Sequence, residues 1–392
     1  MSKSHILELP SWFYPMGGQF TITQGKALQN KEFKVTVLAN VILPWSGYGF
    51  HFKDYPWRLI QTEMENIRVY VYYFRKIPKI REYNINLWIK KYMALFEKYI
   101  SIEGQPDIIH THSSIFAGYV AHLIKEKYGI PYVLTEHWDA FSLKSDYSRS
   151  LFDDFTVKHI QKAIYNADSI IAVSDEIIPG IKQYADKHTP ITSISNIVDT
   201  EFYHVPKTKP KNERFLFVCT NDFKEMKGYD TLIEAVNLLK DQGANFDVRI
   251  AGADFDTTEC LVAFSKSRYP ETFSFTGDLD SQRVRQLLWQ ADAFCLPSRS
   301  ESQSISTLEA LSTGLPIICT DVVPEKIRIS EVGYTVPIES PVEFGEAMGR
   351  MLLNYKTFNP KYNSEHVKSI ASSDVVGEQL YNVFKQVLKN SN

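Results

Sequence analysis

Short apolar segments rich in β-branched residues alternate along most of the chain with longer segments of helical period. In the first half the apolar segments predict six strands: FKVTVLA (33–39), IRVYVYYF (67–74), DIIH (107–110), PYVLT (131–135), DSIIAVS (168–174) and ITSIS (191–195). Unbroken apolar strands of this kind are typical of a parallel sheet covered on both faces. The segments 85–100 and 116–129 have the spacing of amphipathic helices, and Gly129 and Pro131 end the second.

A stretch rich in proline and lysine, HVPKTKPKNER (204–214), interrupts this alternation and indicates a linker. The pattern then restarts, with strands predicted at RFLFVC, FDVRIAG, TFSFTG, DAFCLPS and PIICT and helices at 229–243 and 284–292. The last segment, 374–390, has the pattern of an amphipathic helix. We therefore predict an α/β protein of two Rossmann-like domains, 1–203 and 214–373, joined by 204–213 and followed by a helix in 374–392. Ligands bind such sheets at the carboxyl ends of their strands, which predicts a cleft between the domains.

Composition narrows the classes of function. The 392 residues carry a formal net charge of −3, which argues against a nucleic-acid partner held by bulk charge. No run of about 18 apolar residues is present, and MSKSHILELP lacks the apolar core of a signal peptide, so we expect a cytoplasmic protein. The four cysteines form no close pair of the kind that binds zinc, and most lie in apolar runs typical of buried thiols.

The sharpest chemical signal is LPSRSESQSISTLEALSTGLPIICT (296–320), a strand end followed by a polar loop and a helix that begins near Ser304. Glu301 falls in the loop and Glu309 on the helix. The free amides of Ser304, Ile305 and Ser306 predict an anion site, because the first turn of a helix presents unpaired N–H groups and a positive dipole end. An isolated pair of glutamates at this spacing is common and usually solvated. The residues around the pair must therefore indicate whether it belongs to a functional site.

The string PSRSESQSISTLEAL with GLPIICT resembles the signature of the retaining glycosyltransferases of family 4, which have the GT-B fold. Other segments agree in order: FYPMGGQFTITQGKAL, DIIHTHSSIFAGYVA with PYVLTEHW, ADSIIAVS with ISNIVDTEFY, and KEMKGYDTLIEAVNLL. The resemblance covers nearly the whole chain. It implies a GT-B protein with an N-terminal acceptor domain, a C-terminal nucleotide-sugar donor domain, and a last helix that packs back toward the first domain.

The resemblance also implies roles for individual residues. Glu301 would contact the hydroxyls of the donor sugar, Glu309 would hold the ribose, and Lys227 would neutralise the diphosphate. Gly17 and Gly18 would let backbone approach the donor, and His137 would line the sugar site; Glu301, His137 and Lys227 form the implied catalytic set. The further donor-binding candidates are Lys224, Gly252, Ser302, Gln303, Ser304, Ile305 and Ser306, although Gly252 is equally well explained as an ordinary strand-to-helix turn.

The implied reaction transfers a sugar from a nucleotide-sugar donor to a glycan, lipid-linked or small-molecule acceptor, with retention and without a metal or cofactor. A lysine and a helix end would stabilise the departing diphosphate where water is excluded. Assembly of a cell-surface polysaccharide or glycolipid is the expected setting.

One position departs from the family. An arginine normally lies five residues before the lysine, and here Asp222 occupies that place. Either Lys224 substitutes as the cation, or Asp222 pairs with a neighbour and turns away from the diphosphate. Ser304, at a position that is often glycine, and Gln303, where phenylalanine is common, are interpreted as subgroup variation.

Two weaker signals remain open. His110, His112 and His137 suggest a metal site. His110 and His112 end a strand as HTH with no cysteine or acidic ligand near them in the sequence, so satisfied loop histidines are the simpler interpretation. The segment 68–98 is strongly basic and follows the aromatic stretch 45–57, so the region 45–98 is a candidate peripheral surface for anionic lipid headgroups or an acidic acceptor. A solvated helix over an aromatic core explains it equally simply.

Three other functions compete with this interpretation. A nucleotide-sugar epimerase would use the same fold without an acceptor, and a non-catalytic nucleotide-sugar binder is favoured only by Asp222. An NAD-dependent dehydrogenase is disfavoured because YPMGGQF is not a G-x-G-x-x-G turn.

Overall fold

The computed structural model describes residues 3–43, 55–143 and 152–391, which form two compact units. The first unit comprises the described residues up to Ile197 together with those from Ser373 onward. The second comprises 198–372. Each unit has its own sheet and its own buried core, as the restart of the hydrophobic pattern predicts.

The first unit is built on an eight-stranded sheet in the order β3-β4-β2-β1-β5-β6-β7-β8. All neighbours are parallel except β3 and β4. The strands are β1 (His5–Pro10), β2 (Lys34–Leu43), β3 (Ile60–Met64), β4 (Ile67–Arg75), β5 (Ile108–His112), β6 (Tyr132–Glu136), β7 (Ser169–Ala172) and β8 (Ile191–Ser193). The six strands predicted from the pattern of this half are all present.

In the first unit the pattern did not predict two of the strands, β1 and β3, and the reasons differ. β1 lies between β2 and β5 and is wholly buried, but it is short and Glu8 interrupts its apolar run. β3 is a largely exposed edge strand whose middle residues are polar, so it has no apolar period. The omission of β1 matters most, because β1 is central to the sheet.

Five helices before the second unit cover this sheet: α1 (Gln19–Gln29), α2 (Arg81–Glu103), α3 (Tyr119–Tyr128), α4 (Asp154–Tyr165) and α5 (Ile178–Lys182). α2 buries Trp88, Tyr92 and Phe96 in the core and leaves lysines on its outer side.

The second unit has a parallel six-stranded sheet in the order β11-β10-β9-β12-β13-β14. Its strands are β9 (Phe215–Thr220), β10 (Phe246–Ala251), β11 (Phe273–Phe275), β12 (Ala293–Leu296), β13 (Ile317–Thr320) and β14 (Gly333–Val336). Its helices are α6 (Tyr229–Asp241), α7 (Thr258–Phe264), α8 (Ser281–Gln290), α9 (Ile305–Ser312), α10 (Pro341–Asn354) and α11 (Pro360–Ala371). Both units are thus open α/β sheets of the Rossmann-like kind.

The last helix, α12 (Ser373–Ser391), belongs to the first unit and packs on α1. Leu380, Phe384 and Val387 enter the same core as residues of β1 and β2. A Cβ on Gly377 would lie 3.3 Å from the Cβ of Ala27, so the two helices approach closely there. The helix therefore packs where the family resemblance implied.

Within the described ranges, no helix is both long and apolar enough to cross a bilayer.

Candidate functional site

The second unit has a topological switch point between β9 and β12. From β9 the chain goes to β10 on one side of the sheet, while β12 lies on the other side. Ligands of open α/β sheets bind where the strand order reverses, at the carboxyl ends of the strands. Lys227 lies in the segment after β9 and Glu301 in the loop after β12, so both follow strands that border this point.

Lys227 and Glu301 form an ion pair at 2.7 Å between Nζ and Oε1. Their side chains are only 15% and 8% exposed, and Ser298 Oγ also donates to Glu301 Oε1 at 2.8 Å. A lysine ammonium has three donors, so Lys227 has hydrogen-bonding capacity beyond this carboxylate. The structure therefore brings together two of the three residues of the implied catalytic set.

Backbone contacts hold the lysine segment against the end of β12. Gly228 has φ +66°, and a Cβ there would lie 2.1 Å from the carbonyl oxygen of Pro297, so glycine is required twice over. The Arg299 amide donates to Met226 O at 2.7 Å. The position of Lys227 relative to Glu301 is therefore fixed by main chain rather than by side chains alone.

The helix α9 begins where the sequence predicted. Ser304 precedes it in a left-handed conformation (φ 70°, ψ 72°), which explains why glycine is common at this position in the family. Its hydroxyl is 2.7 Å from Thr307 Oγ1. Asn221 Nδ2 donates to Ser306 Oγ at 3.3 Å and so ties the end of β9 to this helix. Of the other candidates in this segment, Ile305 is exposed, Ser302 partly buried and Gln303 buried.

A cavity of about 190 Å³ lies beside these elements. Its polar lining includes Asn221, Asp222, Tyr203 and Glu309, with Gly252 in one wall. Burial raises the pKa of Glu309 to about 7, and the hydrogen bond with Tyr203 opposes that rise only in part. A carboxylate in a small, half-closed cavity is well suited to accept hydrogen bonds from a vicinal diol such as a ribose.

Gly252 is needed for the shape of this cavity. It follows β10 with φ +153°, and a Cβ there would lie 2.3 Å from the carbonyl oxygen of Asn221. The backbone after β9 and the backbone after β10 therefore approach each other at a distance that only glycine permits. This accounts for the residue structurally and places it in the cavity wall.

Asp222 is neutralised by its neighbours. Its Oδ1 accepts the Ala253 amide at 3.0 Å, and Lys224 Nζ lies 3.2 Å from Oδ2. Burial would raise the pKa of Asp222, but the bonds from Ala253 and Lys224 outweigh it and hold the pKa below its usual value. Asp222 is therefore paired with its neighbours, as one of the two alternatives from the sequence requires, and it also lines the cavity. Lys224 is the partner of Asp222 in this structure.

In the first unit, Gly17 and Gly18 form the turn that leads into α1. Gly18 has φ +78°, and a Cβ there would lie 2.0 Å from the carbonyl oxygen of Trp12. Gly17 has φ +90° and nothing within 4 Å of a Cβ, so the turn leaves open space at that residue. No side chain caps α1, so its first amides face that turn.

His137 directly follows β6, which ends at Glu136, and belongs to a network of largely buried side chains. Phe20, in the first turn of α1, stacks on the His137 ring with centroids 3.8 Å apart. His137 Nε2 is 3.1 Å from His112 Nδ1, and His112 Nε2 is 2.8 Å from Glu8 Oε2. His110 Nδ1 lies 2.9 Å from the same Glu8 oxygen, and its Nε2 lies 2.7 Å from Thr135 Oγ1.

This network corrects the sequence interpretation of the histidines in two respects. The strand β5 extends beyond the predicted end at His110 and includes His112, so both rings are buried in the sheet. An acidic partner does lie beside them, namely Glu8 on β1. The partner was missed because β1 was not predicted. The ligand-type atoms of Glu8, His110 and His112 lie within 4.8 Å of one another, but each is already at hydrogen-bond distance from another member of the network.

Glu136 is a second buried carboxylate that the sequence analysis missed. It accepts the amides of His137 at 2.9 Å and Trp138 at 3.0 Å, and both the amide and hydroxyl of Ser114. It thus fixes the backbone that carries His137. The signal for both glutamates was present in the sequence: a charged residue inside or at the end of an apolar strand needs a buried partner.

The basic region 45–98 is only partly described, since 44–54 lie outside the described residues. Several of its cations are engaged: Arg68 pairs with Glu103, Arg81 with Asp153, and Lys91 lies over the Tyr72 ring. Arg75 is buried. Exposed apolar residues accompany the remaining lysines near the start of α2, as described below.

Comparison with known proteins gives a consistent result. A family model described as Glycosyltransferase Family 4 matches residues 17–202, and one described as Glycosyl transferases group 1 matches 212–354. A Bacillus subtilis (strain 168) glycosyltransferase named for teichuronic acid biosynthesis is 27% identical over 329 residues, covering 80% of this chain and 79% of that protein.

Solved structures agree on the fold. Sucrose-phosphate synthase from Thermosynechococcus elongatus has a TM-score of 0.82 at 16% identity, covering 99% of this chain and 100% of that one. Anabaena HepE in complex with UDP-glucose has a TM-score of 0.71 at 14% identity, covering 97% and 99% of the two chains. With the two family models matching successive halves of the sequence, these likenesses confirm the resemblance: the chain belongs to the family 4 glycosyltransferases, has their GT-B fold, and is a transferase enzyme.

Proposed function

We propose that this enzyme transfers a sugar from a nucleotide-sugar donor to a glycan or lipid-linked acceptor in the assembly of a cell-surface polysaccharide or glycolipid, with retention of configuration and without a metal ion. The observation that carries the proposal is the Lys227–Glu301 pair at the switch point of the second unit, beside the cavity that contains Glu309. These groups have the chemistry that the three parts of such a donor require.

The nucleoside occupies the cavity, where Glu309 accepts hydrogen bonds from the ribose hydroxyls. The diphosphate lies at Lys227 and the first amides of α9, which supply positive charge without a metal. Glu301, paired with Lys227, accepts hydrogen bonds from the hydroxyls of the sugar. As the bond from the sugar to the phosphate breaks, the negative charge that develops on the leaving diphosphate is stabilised by Lys227 and the helix end.

A uridine nucleotide is the first donor to test. HepE, which shares the fold, was solved with UDP-glucose, and this supports a UDP-sugar for the present enzyme. The structural likeness by itself does not select the base, so the experiment compares bases directly. Isothermal calorimetry with UDP, GDP and ADP would identify the nucleotide, and the matching nucleotide sugars would then be assayed for turnover.

Turnover and anomeric configuration test the reaction. We expect release of the nucleoside diphosphate to depend on an added acceptor, and proton NMR of the product to show the same anomeric configuration as in the donor. Glu301→Gln should lower turnover at least tenfold with little change in UDP affinity, since a hydrogen bond to a charged group contributes roughly 1.5–3 kcal/mol. Product formed without acceptor, with an inverted hydroxyl, would favour an epimerase and contradict the proposal.

Metal independence is tested in the same assay. Transfer by protein treated with excess EDTA should match that of untreated protein. Loss of activity on chelation, with rescue by one divalent ion, would contradict the assignment of the diphosphate to Lys227 and α9.

We also propose that the acceptor side of the enzyme contacts an anionic membrane surface. Exposed apolar side chains run from the end of β4 into the first turns of α2: Ile77, Ile80, Tyr83 and Leu87. Ile80, Tyr83 and Leu87 follow a helical spacing and so share one face. Exposed Lys76, Lys79 and Lys90 accompany them. Exposed apolar groups flanked by lysines are typical of helices that rest on anionic lipid.

Vesicle sedimentation tests this surface. The full-length protein should pellet with vesicles containing phosphatidylglycerol, less so with pure phosphatidylcholine, and less at high salt. Ile80→Ser with Leu87→Ser should weaken binding at least fivefold. Lys98→Ser, at the far end of α2, is the matched control and should bind as the unmodified protein does. Equal binding of all variants would show that this face does not contact the membrane.

A further inference from the structure

The hydrogen bonds of the network run in one line from Glu8 through His112 to His137. Glu8, His112 and His137 form a continuous line of hydrogen bonds, 2.8 Å from Glu8 Oε2 to His112 Nε2 and 3.1 Å from His112 Nδ1 to His137 Nε2. Glu8 and His112 are completely buried, and Glu8 comes from β1 while His112 comes from β5. Phe20 stacks on His137 and limits its rotation.

An ionised carboxylate accepts hydrogen bonds and donates none, so the ring nitrogens that face Glu8 carry hydrogen. His112 therefore has its proton on Nε2, and its Nδ1 is an acceptor. The nitrogen of His137 that faces it, Nε2, must then carry the proton, which leaves His137 Nδ1 as a lone-pair acceptor. The same reasoning puts a hydrogen on His110 Nδ1, which also faces Glu8, while its Nε2 lies 2.7 Å from the Thr135 hydroxyl.

The charge states agree with this assignment. Burial would raise the pKa of Glu8, but the two histidines outweigh it and hold the pKa below its usual value, so the carboxylate is ionised. Burial and the neighbouring His110 lower the pKa of His112 to about 4. Burial, followed by His112 and His110, lowers the pKa of His137 well below its usual value, although Asn196 acts in the opposite sense. Both rings of the line are therefore neutral near pH 7, with one proton each.

We propose that Glu8, through His112, is a positioning residue that holds His137 in the Nε2–H tautomer. Nδ1, which is buried and has no hydrogen-bond partner among the described residues, is thereby kept as an acceptor for a sugar hydroxyl. The role of Nδ1 rests on the proposed function, in which His137 lines the sugar site. The tautomer itself does not depend on any substrate. Glu8 does not contact the reacting atoms and acts only by selecting which nitrogen of His137 is free to accept.

Nitrogen-15 NMR of the full-length protein tests the tautomer directly. Histidine labelling gives ten residues to resolve, and a His137→Ala sample assigns the signals of His137. We expect His137 to give one protonated nitrogen, Nε2, and one bare nitrogen, Nδ1, without substrate present. An Nδ1–H tautomer, an even mixture, or a doubly protonated ring in the unmodified protein at pH 7 would overturn the proposal.

Two substitutions at Glu8 separate the carboxylate's acceptor role from its volume. In Glu8→Gln the amide oxygen still accepts from His112 while the NH₂ group turns to His110, whose other nitrogen faces a hydroxyl that either donates or accepts. The His137 tautomer should be retained. Glu8→Leu has no acceptor, so His137 should become a mixture of tautomers, with turnover at least tenfold lower and the KM for the nucleotide sugar within threefold. A single Nε2–H tautomer in Glu8→Leu would overturn the proposal.

Thr135→Val is the matched control. It removes a buried hydrogen bond of His110 but lies off the line from Glu8 to His137. His137 should therefore keep its Nε2–H tautomer, and turnover should stay within twofold of that of the unmodified protein. If Thr135→Val disturbs the tautomer of His137 as strongly as Glu8→Leu does, disrupted packing explains the effect, and the hydrogen bonds from Glu8 through His112 do not. Stoichiometric divalent metal in the purified protein by mass spectrometry would also overturn the proposal, because metal would replace the N–H protons at Glu8.

Failure of the proposed function looks different. If His137→Ala leaves turnover unchanged while the tautomer result holds, the line exists but His137 does not contact the sugar. If no nucleotide sugar is turned over, the NMR result still decides the assignment of the protons.

Discussion

The burial of Glu309 makes the stability of the folded protein depend on pH. Its pKa of about 7 in the folded protein exceeds the ordinary value of 4.5, so the folded state holds a proton that the unfolded state releases. Stability is therefore lost as pH rises from about 4.5 to 7, by no more than about 3 kcal/mol. Glu309→Gln should abolish this loss: its melting temperature should match the unmodified protein at pH 4.5–5 and exceed it at pH 8.

The same carboxylate should make UDP affinity rise with pH. If the ribose binds only the ionised form, affinity should increase about tenfold between pH 6 and pH 8. Titration calorimetry of the unmodified protein and Glu309→Gln at both pH values measures this, and the variant corrects for ionisation of the nucleotide itself. An equal pH ratio in the two proteins would show that Glu309 does not meet the ribose.

Lys227 and Asp222 should differ sharply in their effect on donor affinity. Lys227→Met removes the cation assigned to the diphosphate and should weaken UDP binding by more than tenfold. Asp222→Asn keeps the acceptor for the Ala253 amide and removes only a charge that Lys224 already neutralises, so affinity should change less than threefold. Calorimetry of the two variants decides between them.

Should Lys227→Met bind UDP as tightly as the unmodified protein, the diphosphate does not lie at Lys227. Should Asp222→Asn bind UDP much more tightly, then Asp222 repels the donor in spite of its partners, and aspartate in place of the family's arginine lowers donor affinity.

At the scale of elements, the cavity depends on how closely the segments after β9 and β10 approach. Gly252→Ala would place a Cβ 2.3 Å from Asn221 O, which is rigid backbone, and should cost at least about 3 kcal/mol of stability and weaken UDP binding. Gly243→Ala is the control, because Gly243 also has a positive φ (+82°) but nothing within 4 Å of a Cβ. It should cost only about 1 kcal/mol and leave UDP affinity unchanged.

Thermal unfolding and calorimetry of the two variants measure these differences. Equal losses of stability would mean that backbone conformation, and not the close approach, makes glycine necessary at position 252.

The sequence predicts elements well where apolar residues recur regularly and poorly where a partner lies far along the chain. β2, β4 and α6 follow from local period alone, and the start of α9 follows from SESQSIS. β1 does not, because the charge of Glu8 is compensated by histidines 102 and 104 residues away. The fate of Asp222 was left open for the same reason, since its partners include the amide of Ala253 on the segment after β10.

At the scale of the whole molecule, the described residues of the second unit form one uninterrupted stretch, 198–372, with its own core. A fragment of residues 198–372 should therefore fold alone and bind UDP within tenfold of the full-length affinity, since the proposed nucleoside and diphosphate groups all lie in it. Trp289 is its only tryptophan and reports its unfolding. A fragment that shows no cooperative transition in Trp289 fluorescence, or that binds UDP as weakly with Glu309 as with Glu309→Gln, would contradict this expectation.

The first unit cannot fold from one continuous segment, because α12 supplies part of its core and follows the entire second unit in the sequence. Phe384 of that helix lies against His110, with ring centroids 5.0 Å apart. The histidine network is therefore not fully packed until α12 has been synthesised and has docked. On the ribosome, the apolar face of α1 must wait for the translation of 175 residues, 198–372, before it is covered. The nascent chain thus passes through a stage in which the second unit is complete while the core of the first unit is still open. That stage is where this protein is expected to need chaperones.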